Sequence, residues 1–465
     1  MGYSKNKSAS ITFVRGARQV TGSNFLLTVQ AQNGKKVNVL VDCGLTQGAR
    51  FCESKNSVPF PYTASEIDAV FVTHAHADHI GLLPKLLKEG FDGPIYTTAP
   101  TKDLIPIMLE DSVTLINREA KSCNEDPPYS KEDVVNVSKK LTEVAYRQTV
   151  DIAPEFSCTV YNAGHIVGSA TFLFDISGTR ILFTGDLGRR DAILVPERDI
   201  PPHPIHYLVT ESVYGNRVHE DGEASEIDLQ NAISWVHKKN GVLLIPAFSL
   251  ERTQIILSLL QKLIETKKVP PIPVYMDSPL AAKVTEVYRS HPDFLIDEVK
   301  QDIQKGGDPF SFPLLTVTQS KEESEEALRA STPKVIIAGA GMSHGGRIRT
   351  HEAEFLPDDT TLLLLVGYQT PGSLGRRLKD GAKKVKINWK DVKVRAVVRS
   401  TGGFSAHADR DDLVSFAEAV APQKAFVVLG EMESASFLAQ RISGFLGIEA
   451  DIPQEGEVVD IPLIG

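Results

Sequence analysis

From Thr73 to His79 the chain reads THAHADH, which places three histidines and one aspartate between His74 and His79. Imidazole together with carboxylate suits zinc, and less specifically manganese or iron. The apolar run AVFV precedes this segment and HIGLLPKLLKEG follows it, so the histidines sit where a strand gives way to a helix. Side chains of an extended segment repeat every two residues, which points His74 and His76 the same way. A helix beginning near Asp78 turns Asp78 and His79 back toward the same space. One loop thereby offers two ligand clusters, and the spacing predicts two metal ions. A single histidine is most often an ordinary core or loop residue; HxHxDH between a strand and a helix is not.

Two other stretches extend this set. NAGHIVGSA presents His165 in a glycine-flanked loop between strands, where a ligand can approach without steric conflict. RILFTGDLGRR places Asp186 directly after an apolar strand, where a carboxylate can bridge two metals. Asp42 ends the run VNVLVD in a comparable position. Its expected task is to accept a hydrogen bond from a ligand histidine or from metal-bound water.

The elements that must position these residues alternate along the chain. ITFVRGARQVTGSNFLLTV, KVNVLVDCG, AVFVTH, GPIYTT, CTVYNAG, ATFLFDISG, RILFTGD and HYLVTES read as strands, short, β-branched and punctuated by Gly or Asn. Residues 101–150 read as mostly helical. From Asp228 onward helix-like and strand-like runs alternate through GVLLIPAF, IPVYMDS, KVIIAGAG and TLLLLVGY, the mark of a parallel α/β sheet. KEESEEAL is expected to begin a surface helix. RRLKDGAKKVKINWKDVKVR, from Arg376 to Arg395, is strongly basic and reads equally as a solvated β-hairpin or as a local basic cleft.

The 465 residues exceed one ordinary core and suggest two domains. A net charge of −9 argues against nucleic-acid binding through bulk positive charge, though not against a local basic surface. No apolar run approaches the ~20 residues that span a bilayer, the first residues lack a signal-peptide core, and Asn6 breaks the myristoylation pattern. A cytoplasmic protein with no membrane partner is expected. Cys43, Cys52, Cys123 and Cys158 show no CxxC pairing, so reduced thiols are expected rather than a cysteine zinc site. The apolar tail EVVDIPLIG either pairs between subunits, giving a homodimer, or joins the core.

LVDCG, THAHADHIGLLPKL, AGHIVGSA and FTGDLG resemble the four successive motifs of the metallo-β-lactamase fold. TESVYG and GGFSAHAD resemble motifs A and B of its β-CASP nuclease branch, the group that contains the mRNA 3′-end cleavage endonuclease and related bacterial and archaeal ribonucleases. IPAFSLERTQII, YMDSPLA, AGAGMSHGGRI and GYQTPGSLGRRL resemble segments of the inserted domain. The likeness covers nearly the whole chain in order. It implies an α/β fold: an αββα sandwich (1–208 and 397–465) interrupted by an α/β β-CASP domain (209–396), with the active site in the cleft between them.

The resemblance also implies roles. One zinc takes His74, His76 and His165; a second takes Asp78 and His79; Asp186 bridges them, and manganese is an alternative metal. A metal-activated hydroxide attacks a phosphodiester of single-stranded RNA, with His407 as the acid for the leaving oxygen and Glu211 holding it. Asp78 and Asp42 complete the catalytic set. Arg252, Ser343, Arg347 and Ser405 are weaker candidates for substrate contacts, with the glycines around Gly341, Gly345 and Gly346 letting backbone N–H groups approach phosphates.

One residue departs from the pattern. The RNA-cleaving branch carries a histidine, motif C, just before Gly-Glu; here AFVVLGEMES places Leu429 there, and an aliphatic side chain cannot coordinate a metal. Three readings follow: an impaired nuclease with a weakened second metal site, a silent RNA-binding member of a processing complex, or, ranked third, a DNA-acting β-CASP nuclease. Glu431, two residues on, replaces the ligand only if the strand continues that far. Thioester or lactam hydrolysis uses the same metal motif, but the β-CASP-like second half argues against it. The choice between endonuclease and 5′-exonuclease stays open at this level.

Overall fold

The computed structural model describes residues 8–30, 35–47, 53–219, 222–370 and 372–464. They form two compact units. The first comprises Met1–Arg190, Pro196–Val218 and His407–Gly465; the second comprises Asp191–Val195 and His219–Ala406.

The first unit is built on two seven-stranded sheets. One runs in the order Val458–Ile461, Ser8–Arg15, Asn24–Gln30, Lys36–Val41, Ala69–Phe71, Ile95–Thr97, Leu141–Glu143. The other runs Glu449–Asp451, Lys424–Val427, Tyr207–Thr210, Thr179–Phe183, Ala170–Ile176, Phe156–Asn162, Thr149–Ala153. Alternate residues of their strands, among them Ile11, Phe13, Leu27, Val39 and Phe71 from the first and Phe172, Phe174, Ile181 and Phe426 from the second, meet in one buried cluster. Phe71 packs edge-on against Phe172 and Phe174, with ring centroids 5.3 and 5.2 Å away. The helices Arg410–Val420 and Met432–Leu446 bury Leu413, Phe416, Leu438 and Ile442 against Leu173, Leu182 and Leu208 on the other face of the second sheet. The helices Leu83–Lys88 and Ala99–Ser122 bury Leu83, Leu86, Leu104 and Leu109.

The expected strands are present, and the long first run divides into Ser8–Arg15 and Asn24–Gln30, paired antiparallel. The 101–150 segment is helical only to Ser138; Leu141–Glu143 and Thr149–Ala153 join the two sheets at their edges. The tail strand Val458–Ile461 pairs with Ser8–Arg15 of its own chain, which answers its apolar pattern without a second subunit. Cys43 and Cys158 are free and buried, whereas Cys123 is disulfide-bonded, contrary to the expectation of reduced thiols; Cys52 lies outside the described residues. Linear spacing carries no record of which thiols the fold brings together.

The second unit holds a six-stranded parallel sheet in the order Leu315–Val317, Val274–Asp277, Lys334–Ala338, Val242–Pro246, Leu362–Leu365, Val397–Ser400. Its central strands VLLIP, KVIIA and LLLL are buried at every residue, as in a parallel sheet covered on both faces. The charged helix Lys321–Arg329 begins with a capping box between Ser320 and Glu323. The basic run forms the helix Leu374–Lys379 and a two-stranded hairpin, Lys384–Ile387 with Lys390–Lys393. Among the described residues no helix is long and apolar enough to cross a membrane.

Candidate metal centre

The histidine loop leaves the strand Ala69–Phe71, and the helix Ala77–Ile80 starts after His76, whose extended backbone (φ −69°, ψ 147°) makes the turn. Cys43 N–H donates to His79 O and Ser23 N–H to Asp78 O, tying the short helix to neighbouring segments. A Cβ on Gly44 would stand 1.5 Å from Asp78 O, so glycine is required for this approach. The loops bearing His165 and Asp186 are equally close: a Cβ on Gly188 would lie 1.6 Å from Gly164 O. The glycines beside His165 and Asp186 therefore let two loops meet, where room for an incoming ligand was expected.

His74 Nε2 lies 2.9 Å from His76 Nδ1, and His165 Nε2 lies 3.3 Å from the same nitrogen. Asp186 Oδ2 is 3.5 Å from His74 Nε2 and 3.7 Å from His165 Nε2, and all four ligand atoms fall within 4.8 Å of one another. Nitrogens bonded to a tetrahedral zinc at about 2.05 Å stand about 3.3 Å apart, so these separations suit a common ion. On the other side Asp186 Oδ1 is 3.4 Å from His79 Nε2, and Asp78 Oδ2 is 3.9 Å from it. His79 Nε2 is buried without a hydrogen-bond partner. An orphaned imidazole nitrogen facing two carboxylates fits a metal ligand.

Asp42 is wholly buried and accepts hydrogen bonds from Ser23 Oγ (2.9 Å), Thr73 N–H (2.8 Å) and His79 Nδ1 (2.7 Å). The last of these commits Nδ1 to Asp42 and leaves Nε2 facing the other carboxylates. Ser23 and Thr73 escaped the sequence reading; their hydroxyls carry no spacing signal of their own.

Charge is arranged to match. Burial, reinforced by the neighbouring His79, lowers His74 well below the ordinary histidine range and keeps it neutral, as a ligand must be. Burial pushes Asp78 upward, whereas Asp186 is held well below the carboxylate range because His79, His407 and His74 overcome its burial. His407 Nδ1 stands 3.4 Å from Glu211 Oε1 and 3.8 Å from Asp186 Oδ2. Burial alone would lower its pKa, but Glu211, Asp186 and Asp78 outweigh it and raise it. Glu211 is buried, accepts Leu187 N–H at 2.7 Å, and its other oxygen has no hydrogen-bond partner.

Residues 21–214 match the metallo-beta-lactamase superfamily, 253–378 the Beta-Casp domain, and 391–453 the Zn-dependent metallo-hydrolase RNA specificity domain. Over 96% of its length the chain is 34% identical to the ribonuclease TTHA0252 of Thermus thermophilus, covering 98% of that protein. The chain belongs to the β-CASP branch of the metallo-β-lactamase family. Another relative in this β-CASP family is the transcription termination factor FttA of Methanosarcina mazei, 31% identical over 96% of this chain and 70% of its own. A crystal structure of a protein of unknown function from Enterococcus faecalis shares the fold, with a TM-score of 0.53 at 15% identity, covering 98% of this chain and 100% of that one. As a β-CASP metallo-hydrolase the chain has the αββα sandwich and inserted α/β domain, and its fold implies binding of divalent metal.

The remaining expected residues fall as follows. Leu429 is 1% exposed and packs in the inter-sheet cluster with Phe25, Phe183, Val209 and Val428; beside it lie Asp42, Thr184 and Gly185, which line one small void with it. Its backbone is left-handed (φ 48°), a conformation that costs an aliphatic residue about 1–2 kcal/mol. The strand Lys424–Val427 has ended by then, and Glu431 is exposed at the start of the helix Met432–Leu446, so the condition for Glu431 to replace the missing ligand fails. Arg252, Ser343, Arg347 and Ser405 all belong to the second unit. Ser343 is buried and its hydroxyl donates to Glu352, while Arg347 is engaged by Asp277 (2.6 Å) and Gln319 O (2.7 Å). Asp277 also bonds His351, Thr318 and Ser324, a knot that ties strand ends to neighbouring helices and loops. Arg252 begins the helix Arg252–Glu265 and Ser405 is buried.

Proposed function

We propose that this chain is a divalent-metal-dependent phosphodiesterase acting on single-stranded RNA, with a second metal position one ligand short at Leu429 and turnover reduced accordingly. The observation that carries the metal-dependent hydrolase is the convergence of His74, His76, His165 and Asp186 within 4.8 Å. The names of the relatives, a ribonuclease and a transcription termination factor, support RNA as the substrate. The reading includes a metal-binding domain, 1–208 with 397–465, an inserted β-CASP domain, 209–396, and a cytoplasmic location.

His74, His76, His165 and Asp186 would hold one zinc, and Asp78, His79 and Asp186 a second ion, more weakly. When bound, such ions supply Lewis acidity to a phosphate and acidify water for attack. Asp42 fixes the orientation of His79. Glu211 holds His407 at the edge of the cluster, where the neighbouring carboxylates raise its pKa and favour the proton it would give to the leaving oxygen.

The test is metal content by mass spectrometry, melting with and without added zinc or manganese, and cleavage of labelled single-stranded RNA, each for the protein and for Leu429→His. Expected are one tightly held ion in the wild type, a second in the variant, a larger metal-dependent rise in its melting temperature, and faster cleavage. Two tightly held ions in the wild type, or no gain in the variant, would sink the account of Leu429. Cleavage of single-stranded DNA with RNA left intact would overturn the substrate. RNA binding without cleavage in both forms favours the second reading, a silent RNA-binding member of a processing complex, for which Leu429 itself is the supporting observation.

A further inference from the structure

The hairpin of the second unit pairs Lys384 with Lys393, Val385 with Val392, Lys386 with Asp391 and Ile387 with Lys390. Directly opposed residues share a face. Val385, Val392 and Ile387 are buried in the core of that unit, and Lys384, Lys386, Lys393 and Asp391 form the exposed face. Lys384 opposite Lys393 is a like-charge pair, which costs stability. Asp391 bonds Lys384 at 2.7 Å, and among the described residues Lys386 and Lys393 have no acidic partner within salt-bridge distance. Lys383, Lys390 and Arg395 are exposed beside them. This local excess of cations stands in a chain of net charge −9.

The turn is stranger. Asn388 and Trp389 are both left-handed, with φ 48° and 68°, in a two-residue turn where Asn-Gly is the favoured pair. Trp389 occupies the glycine's place and is 91% exposed. A bulky residue there bears backbone strain and buries no apolar surface in return, so stability does not account for it. An exposed ring at the tip of a cationic ladder is the combination that holds single-stranded nucleic acid, the ring stacking on a base and the cations tracking phosphates. A membrane or an apolar protein surface would need more than one exposed apolar residue, and the hairpin offers no second.

We propose that this hairpin is an RNA-binding arm: Trp389 stacks on a base of single-stranded RNA while Lys386 and Lys393 hold the flanking phosphates. The inference rests on the RNA reading above and adds a contact site outside the metal centre.

The chain has two tryptophans, so a Trp235→Phe background makes Trp389 the sole indole reporter. Titrating that protein with a single-stranded RNA dodecamer is expected to quench Trp389 emission to saturation, and a fully duplex RNA is expected to quench it far less. Trp389→Gly should weaken binding about 5- to 150-fold, the range set by loss of one stacked base, with a melting temperature equal to or above that of the wild type. Lys386→Ala and Lys393→Ala should each lower the slope of log affinity against log salt by about 0.7. If the wild type binds RNA and Trp389→Gly binds it equally well, the arm is overturned and the ribonuclease reading stands. If the wild type does not bind single-stranded RNA, or binds only DNA, the ribonuclease reading falls and the arm with it.

Discussion

His407 Nδ1 stands 3.4 Å from Glu211 and 3.8 Å from Asp186, and Asp78 adds to the negative charge that it feels. As the proposed proton donor, His407 would act on the departure of the leaving group rather than on the capture of metal. His407→Ala is therefore expected to lower RNA cleavage by roughly 100- to 10,000-fold while metal content and RNA affinity stay as in the wild type; loss of metal together with activity would show that His407 acts as a ligand. A second buried group lies far from this chemistry in role. Burial pushes the Glu352 carboxyl up to about 8, against the pull of Ser343 and Arg349. An unfolded glutamate titrates near 4.3, so between about 4.3 and 8 the folded chain keeps a proton that the unfolded chain has lost. Stability from this group is fully present below that window and is lost as pH rises through it. Glu352→Gln removes the slope, and its advantage over the wild type is expected to grow from pH 5 to pH 8 to the order of a few kcal/mol, read from urea melts at fixed ionic strength. A wild type and a variant with parallel pH profiles would contradict the buried, protonated assignment.

At the scale of elements, the candidate metal ligands are placed by loops that approach one another backbone to backbone. Gly188 against Gly164 couples the loop of Asp186 to the loop of His165, and His407 lies beside the same segment through its bridge to Gly188. A methyl group on Gly188 cannot be accommodated 1.6 Å from a carbonyl oxygen without moving one of the loops. Gly188→Ala is expected to lose metal and to destabilise the first unit by about 3 kcal/mol or more, measured by metal content and calorimetry; a variant that keeps full metal would show the loops to be more tolerant than their spacing implies. The strand-forming runs were readable in the chain, because they are short, β-branched and punctuated by Gly or Asn. The glycine contacts were not, since a glycine at a turn and a glycine under another loop look alike in one dimension. The same blindness applies to Leu429: its aliphatic nature was plain, but its left-handed backbone and its insertion among Phe25, Phe183 and Val209 depend on partners distant in sequence.

At the scale of the whole molecule, the candidate metal ligands all fall in the first unit, while the parallel sheet, the Asp277 knot and the basic hairpin fall in the second. Each unit has its own buried core. Ligands stabilise only the structure that binds them. Calorimetry of the full chain is therefore expected to show two transitions, of which a chelator lowers one and leaves the other in place. A single transition that moves as a whole on chelation would show that the units unfold together.

The sequence alone determined the candidate metal-ligand set and which family the chain resembles, because a metal site needs particular ligand atoms and those atoms are written as residue types at fixed local spacing. It also determined the sheet-forming runs, whose β-branched composition and punctuation are local. Only the tertiary structure decided that Asp42 is shared by Ser23, Thr73 and His79, that Ser343 and Arg347 are committed to Glu352 and Asp277, and that Glu431 stands outside the strand. Those facts concern which groups meet across long separations in the chain, and burial and hydrogen bonding are properties of the meeting, not of either residue.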